Sequence, residues 1–356
     1  MATILSIIFA ILIFSFLIFV HEFGHFICAK LSGVQVNEFA IFMGPAIWKK
    51  QIGETLYSIR TIPIGGYCAM EGEDEDTENP RSFQKAAWWK RLIILVAGAV
   101  MNFLAGILLL GIVYGPAEGF IIPTVDSFAD YCTIDGENGL QVGDRFVEVD
   151  GEKIYIHSDF SLILTLNGGD VHDLVVERDG KLVELKDFKM ERHEVTDEKG
   201  NTSYLFGFTF GSMDASFVNT SRFIGNTIVS WIRSIRLSLS MLFSGKAGFQ
   251  DLSGPVGIVG QMTDVATSSA TTMDAVLNLL FFGAFIAVNL GIMNLLPIPA
   301  LDGGRAVALV LTVAIEAMIG KKLDPKYEGY IHAGGMILLL LLMAAIMLKD
   351  VIFLFK

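Results

Sequence analysis

Charge is scarce in this sequence. Asp, Glu, Lys and Arg make up 18% of the 356 residues, where an ordinary soluble domain carries about 25%. Hydrophobic residues reach 53% and the mean hydropathy is +0.56, which excludes a plain soluble enzyme. Proline is also rare, 9 residues against 27 phenylalanines; that composition excludes collagen, Pro-rich disorder and a simple coiled coil. No basic surplus exists. The net charge is −12, and a nucleic-acid binder needs a clustered basic face, so nucleic acid is not an expected partner. The three cysteines, Cys28, Cys68 and Cys132, lie far apart. They match neither a disulfide framework nor a CxxC metal site and read as ordinary unpaired residues. What remains is a membrane protein whose length allows about two domains.

A bilayer core of ~30 Å needs about 20 apolar residues in a helix, and four stretches qualify. Residues 1–20 are uncharged and run into His21; residues 92–114 follow Lys90 and Arg91. Residues 275–301 are bounded by Asp274 and Asp302, and residues 329–348 carry only His332 before Lys349. The first stretch has no basic leader and no small-residue cleavage site, so it reads as a retained helix. Lys and Arg collect in the loops 28–91 and 302–328, which the positive-inside rule makes cytoplasmic. Both chain ends and the segment 115–274 then lie outside. That segment holds 24 Asp+Glu and 12 Lys+Arg, which accounts for the whole net charge of −12.

Within it, residues from about 120 to 210 read as short strands and turns. Phe146 to Val149 alternates like a half-buried strand, and residues 174–178 and 181–185 flank Asp179-Gly180, a two-residue hairpin signal. Residues 158–166 can form one short helix. Further on, 217–243 reads as an amphipathic helix, with Phe223, Ile224, Ile228, Trp231, Ile232 and Ile235 against Arg222, Arg233 and Arg236. Such a helix lies along a bilayer face or packs on the preceding domain.

The first span ends in His21-Glu22-Phe23-Gly24-His25. Residues i and i+4 share a helix face, so both imidazoles can reach one metal ion with Glu22 beside it. Zinc takes His nitrogen readily and leaves a position open for water. Ionised groups at the end of an uncharged span cost ~3 kcal/mol each, a cost that demands a partner. Of the acids abutting the other spans, Asp302 stands out, in Asn294-Leu295-Leu296-Pro297-Ile298-Pro299-Ala300-Leu301-Asp302-Gly303-Gly304. Pro297 and Pro299 must break the helix, and irregular backbone at membrane depth is tolerated only against protein or a wet cavity. His332 reads as a polar contact between helices rather than a metal ligand. His157, His172 and His193 show no ligand spacing, Gly111 and Gly115 mark a span end, and the acidic run 71–76 reads as a solvated loop.

HEFGH on the first span together with the NLLPIPALDGG segment resembles the site-2 protease family of intramembrane zinc metalloproteases, in its bacterial RseP/RasP-like branch. Ile62-Pro63-Ile64-Gly65-Gly66-Tyr67, after Met43-Gly44-Pro45, is similar to the family's membrane-associated β-loop. Ala97-Gly98-Ala99-Val100-Met101-Asn102 resembles its GPxxN motif, with Ala99 where proline is usual; Ser253-Gly254-Pro255-Val256-Gly257 matches a segment before the third span. The run Gly139 to Asp144, with Val149-Asp150-Gly151, resembles the PDZ domains of bacterial membrane proteases.

The resemblance implies a polytopic α-helical membrane protein with a membrane-associated β-loop and an inserted extracytoplasmic PDZ-like β domain. Its parts are a half at 1–115 (helix about 2–25, β-loop about 36–68, helix about 92–114), a PDZ-like domain at 116–212 and an amphipathic connector at 213–272. A second half at 273–356 carries helices at about 275–301 and 329–348. It also implies one zinc ion (Zn2+) per chain on His21, His25 and Asp302, with Glu22 as the catalytic base. Asn102 and Asn294 would serve an oxyanion, and Ile62, Ile64, Gly65 and Gly66 would pair with substrate. The implied substrates are single-span membrane proteins such as anti-sigma factors and remnant signal peptides, cut after an upstream site-1-type protease. The implied location is the bacterial cytoplasmic membrane, active site near the cytoplasmic side. Two rivals are a metal transporter and a noncatalytic PDZ-bearing adaptor. A transporter predicts further intramembrane acids and inverted repeats, which the sequence lacks; an adaptor predicts indifference to Glu22→Gln.

Overall fold

The computed structural model describes residues 2–73, 77–136, 139–196, 202–321 and 326–354. They form two compact units, one of residues 1–113 with 235–356 and one of residues 114–234. Among the described residues, four helices are long and apolar enough to cross a membrane, over Ile8–Ser32, Trp88–Tyr114, Thr272–Asn294 and Gly329–Ile352. Large side chains along them stay exposed, Leu12 at 61% and Leu341 at 64%, as contact with lipid requires.

In the first unit α1 (Ala2–Ser32) runs unbroken for 31 residues, so HEFGH sits inside the helix rather than at its end. A hairpin of β1 (Val36–Ile52) and β2 (Thr55–Met70) follows. Its register makes it more than two ribbons: Phe39 pairs with both Tyr57 and Cys68, and Ala40 with both Ser58 and Tyr67. The early part of β1 is therefore flanked by both ends of β2, and the late part of β1 pairs outside them (Trp48 with Ile59). The reversal uses Gly44 (φ 86) and Gly65 (φ 82), left-handed conformations that glycine adopts without strain. Helix α2 (Trp88–Tyr114) comes next. Beyond the other unit stand α5 (Pro255–Ser268), α6 (Thr272–Asn294), α7 (Asp302–Ile319) and α8 (Lys326–Leu354).

Three stretches differ from the sequence expectations. The third apolar helix ends at Asn294, not 301, because Pro297 and Pro299 cannot carry the hydrogen-bond ladder on. Residues 302–319 form α7 where a loop was expected. Its Ala306, Leu309 and Val313 face the core with Phe39, Cys68 and Ile94, and Gly320 (φ 66) ends it in a left-handed cap. Asp302, Arg305 and Glu316 dilute its hydropathy and hide the periodicity. Helix α5, also unexpected, is held at its start by Asp350 of α8, whose Oδ2 accepts from the Gly254 and Gly257 N–H groups at 2.9 and 3.0 Å.

The second unit, inserted in the chain between α2 and the late helices, is built on an antiparallel sheet. Its strands are β3 (Gly119–Phe128), β4 (Arg145–Val149), β5 (Glu152–Lys153), β6 (Val171–Arg178), β7 (Lys181–Lys189) and β10 (Phe208–Asp214), in the order β10-β3-β4-β6-β7 with β5 beside β4. A separate ribbon pairs β8 (His193–Thr196) with β9 (Thr202–Leu205). Helix α3 (His157–Asn167) covers the sheet, burying Phe160, Ile163 and Leu164 against Phe146, Leu174 and Val176. Asp179 (φ 48) and Gly180 (φ 75) make the β6–β7 turn, the positive-φ pair a two-residue hairpin needs. Helix α4 (Phe217–Phe243) starts in this unit, where Phe223 stacks on Phe120 at 4.5 Å. Arg233 pairs with the buried Asp159 at 2.6 Å. Packing on its own domain is therefore what residues 217–234 do.

Candidate metal centre

His21 and His25 project from one face of α1 with their Nε2 atoms 3.2 Å apart. The carboxylate of Asp302 meets them from the first turn of α7. Its Oδ2 lies 3.1 Å from His21 Nε2 and 3.3 Å from His25 Nε2. Among the described residues this is the one group of three or more His, Cys, Asp or Glu side chains placed to share a metal ion.

Proton bookkeeping says what the cluster can hold. His25 Nδ1 is 2.8 Å from the Ile94 carbonyl oxygen; a carbonyl only accepts, so Nδ1 carries a proton, and the neutral ring then presents its Nε2 lone pair. His21 Nδ1 faces the amides of Asn102 at 3.2 Å and Asn294 at 3.4 Å. Asn102 is buried, and with Nδ2 toward the ring its Oδ1 has no partner. Turning the amide by half a revolution exchanges N and O in place, and Oδ1 then accepts from His21 Nδ1–H. Asp302 Oδ2 is buried and receives no hydrogen bond. Three lone pairs aimed at one another at such range repel unless a proton or a metal cation lies between them. A tetrahedral zinc with bonds of 2.0–2.1 Å spaces its ligands by about 3.3 Å. The donors and their spacing fit zinc.

Glycines make this convergence possible. A Cβ on Gly98 of α2 would stand 2.4 Å from His25 Nε2 and 2.7 Å from His21 Cε1, and one on Gly24 would stand 2.5 Å from the Ala97 carbonyl oxygen. Helices α1 and α2 thus meet backbone to backbone, the small-residue mode of membrane helices. Ala99, where the family motif has proline, is fully buried and leaves α2 regular, so Asn102 still reaches the ring. Gly303 and Gly304 serve the other side: their Cβ atoms would fall 2.3 Å from the Leu295 carbonyl oxygen and 2.1 Å from that of Ile298. The two Asp-following glycines let the broken segment fold back on α7.

Glu22 lies between the cluster and the hairpin. A Cβ on Gly66 would sit 3.6 Å from Glu22 Cγ. Segment 66–70 pairs only with 36–41, so it is one outer edge of the hairpin sheet. Ile62 pairs with Met43 and is 48% exposed; the side chain of Ile64 lies outside the described residues. The hairpin is braced by Glu38, which accepts from Ser58 Oγ at 2.7 Å and Arg60 Nη2 at 2.8 Å. Burial opposes its charge, but these bonds hold its carboxyl below the ordinary range. Of the acidic run, Glu73 pairs with Arg305 of α7 and residues 74–76 lie outside the described residues. The Ile94 carbonyl, Gly24 and Gly98 escaped the sequence reading; the run of small residues Ala97-Gly98-Ala99 is the signal that could have pointed to a close helix contact.

A family model described as peptidase family M50 matches residues 9–342. A relative designated "Putative zinc metalloprotease" in Clostridium acetobutylicum is 36% identical over 349 residues, 98% of each chain. One of the same designation in Clostridium perfringens is 35% identical over 350 residues, again 98% of each. Regulator of sigma-W protease RasP of Bacillus subtilis is 28% identical over 425 residues, covering 96% of this chain and 97% of that one. With the match reaching from the first apolar helix into the last, the chain belongs to peptidase family M50, the site-2 protease family, and is a metalloprotease.

Proposed function

We propose that this chain hydrolyses peptide bonds of single-span membrane proteins within or beside the bilayer. The observation that carries the reading is the convergence of His21, His25 and Asp302 inside a unit of membrane-length helices. These three residues would hold one zinc ion. Zinc, when bound, supplies Lewis acidity that polarises a scissile carbonyl and lowers the pKa of water to about 7. Glu22 takes the proton of the attacking water on its carboxylate and returns it to the leaving amine. Asn102 and Asn294 orient His21 through Nδ1, which is where their amides point; an oxyanion role would need an amide N–H turned toward substrate instead.

A peptide bond inside an intact helix is shielded, so the substrate must unwind. The outer strand at Gly65 to Met70 offers an edge to which an unwound segment adds as a further strand, passing Glu22 where Gly66 leaves room. Ile62 and Ile64 would flank that segment. Residues 116–212 act as a PDZ-like filter for substrates already shortened by an upstream protease. Anti-sigma factors and remnant signal peptides are the substrate class, in line with the sigma-W regulation in the name of the Bacillus relative. The chain sits in the bacterial cytoplasmic membrane with residues 116–212 and both ends outside.

The test is co-expression with tagged single-span candidates, comparing wild type with Glu22→Gln. Loss of the cleaved product in the variant supports the enzyme reading, and equal cleavage in both removes it. Proline at Tyr67 or Cys68, on that outer strand, that leaves cleavage intact counts against strand addition.

A further inference from the structure

Residues 295–301 carry Asp302 to the two histidines, so whatever holds this segment holds the donor set. Its backbone N–H groups can be accounted for one by one. Pro297 and Pro299 have none. Leu295 donates to Ile292, Leu296 to Met293, Ile298 to Leu296 and Leu301 to Ile298. The remaining donor, Ala300 N–H, has no backbone acceptor in the segment, and Ala300 is turned into the left-handed region at φ 78, a conformation that costs a non-glycine residue about 1 kcal/mol or more. Its acceptor is a side chain from another helix: His332 Nδ1 of α8, at 3.1 Å. Three residues on, Gly335 shares the face of α8 with His332. A Cβ there would stand 2.4 Å from Pro299 Cβ and 2.9 Å from the Pro299 carbonyl oxygen. Helix α8 thus grips the turn twice, by a hydrogen bond at Ala300 and by close approach at Pro299.

We propose that His332 is a positioning residue for Asp302, acting through the Ala300 turn, with Gly335 as its steric counterpart. The inference rests on the zinc reading above. Nδ1 must accept, so the ring is neutral with its proton on Nε2. Without that acceptor the strained Ala300 turn can relax toward negative φ. Leu301 and Asp302 then swing with it, and the carboxylate leaves the range that 2 Å metal bonds demand. His332 lines a cavity of about 430 Å³ together with Glu73 and Arg305, so replacing its ring removes an acceptor without forcing a clash.

Zinc retention separates positioning from mere packing. Detergent-solubilised full chain is loaded with zinc and challenged with a chromophoric chelator, and the release rate is read for wild type, His332→Leu, His332→Gln, His332→Asn and Gly335→Ala. Asparagine places its Oδ1 where His places Nδ1, whereas glutamine's amide is one methylene too far. His332→Leu, His332→Gln and Gly335→Ala should release zinc at least tenfold faster, and His332→Asn should stay within about threefold of wild type. Release from His332→Leu at the wild-type rate, or from His332→Asn as fast as from His332→Gln, overturns the proposal. Should His332→Leu not purify folded, the Asn and Gln pair decides alone. His21→Ala is the control: if it too retains zinc normally, the metal reading fails rather than this one.

Discussion

Inward-facing carboxylates, Asp144 and Asp159 in one unit and Asp302 in the other, are treated differently. In residues 114–234, Asp159 is 1% exposed and receives the Arg233 guanidinium at 2.6 Å with the Tyr155 and Ile156 N–H groups. Asp144 is fully buried and bonded by Arg178 through both oxygens at 2.7 Å. Among the described residues, each of these two buried anions has its own arginine. In the helical unit, Asp302 Oδ2 faces two imidazole Nε2 atoms at 3.1 and 3.3 Å and no arginine. Two neutral imidazoles cannot answer a carboxylate's charge, and a shared metal cation is what this arrangement is built to accept. Self-sufficiency marks scaffold; incompleteness marks function.

The contrast breaks most visibly at Asp302. Asp302→Ala should abolish both zinc binding and cleavage, while Glu22→Gln should lower cleavage by about 10²–10⁴-fold with zinc retained; metal analysis beside a substrate-cleavage blot reads the two apart. In residues 114–234 the reverse holds. Arg233→Met strands Asp159 and should cost about 3–5 kcal/mol of that domain's stability, seen in denaturant titration, with zinc content unchanged. A change in zinc content there would blur the division. Gly98→Ala pushes a methyl to 2.4 Å from His25 Nε2 and should weaken zinc about 10–100-fold, measured by chelator competition, without altering the second unit's unfolding.

The smallest effect is on pH dependence. Burial opposes the charge of Asp150, but the His172 ring at 2.7 Å, the Asn167 amide and the Asp173 N–H hold its carboxyl below the ordinary range. A lowered folded value means the stabilisation is present above the unfolded pKa of about 3.9 and is lost as pH falls through the folded value. Asp150→Asn should therefore remove about 1 kcal/mol at neutral pH and flatten the acid limb of the second unit's stability curve. An unchanged acid limb would contradict the assignment.

Much of this was legible in the sequence because the signals are local. HEFGH states its own geometry through the four-residue helical repeat, and two prolines followed by Asp-Gly-Gly announce a broken helix presenting a carboxylate. What stayed hidden depends on partners far along the chain. Gly98 matters because α1 passes over it, and His332 reads as one polar residue in an apolar span until the Ala300 turn appears beside it. Helix α7 escaped because three charged residues mask a face that only the hairpin core reveals. The hairpin's doubled pairing escaped because register is written in the bend at Gly44 and Gly65, not in alternation.

Metal analysis of the purified, detergent-solubilised chain tests the central claim most directly. Wild type should carry one zinc per chain and Asp302→Ala essentially none, with Arg233→Met indistinguishable from wild type. Full zinc retention in Asp302→Ala, or a wild-type chain that binds none under saturating zinc, would contradict the convergence on which the chemistry depends.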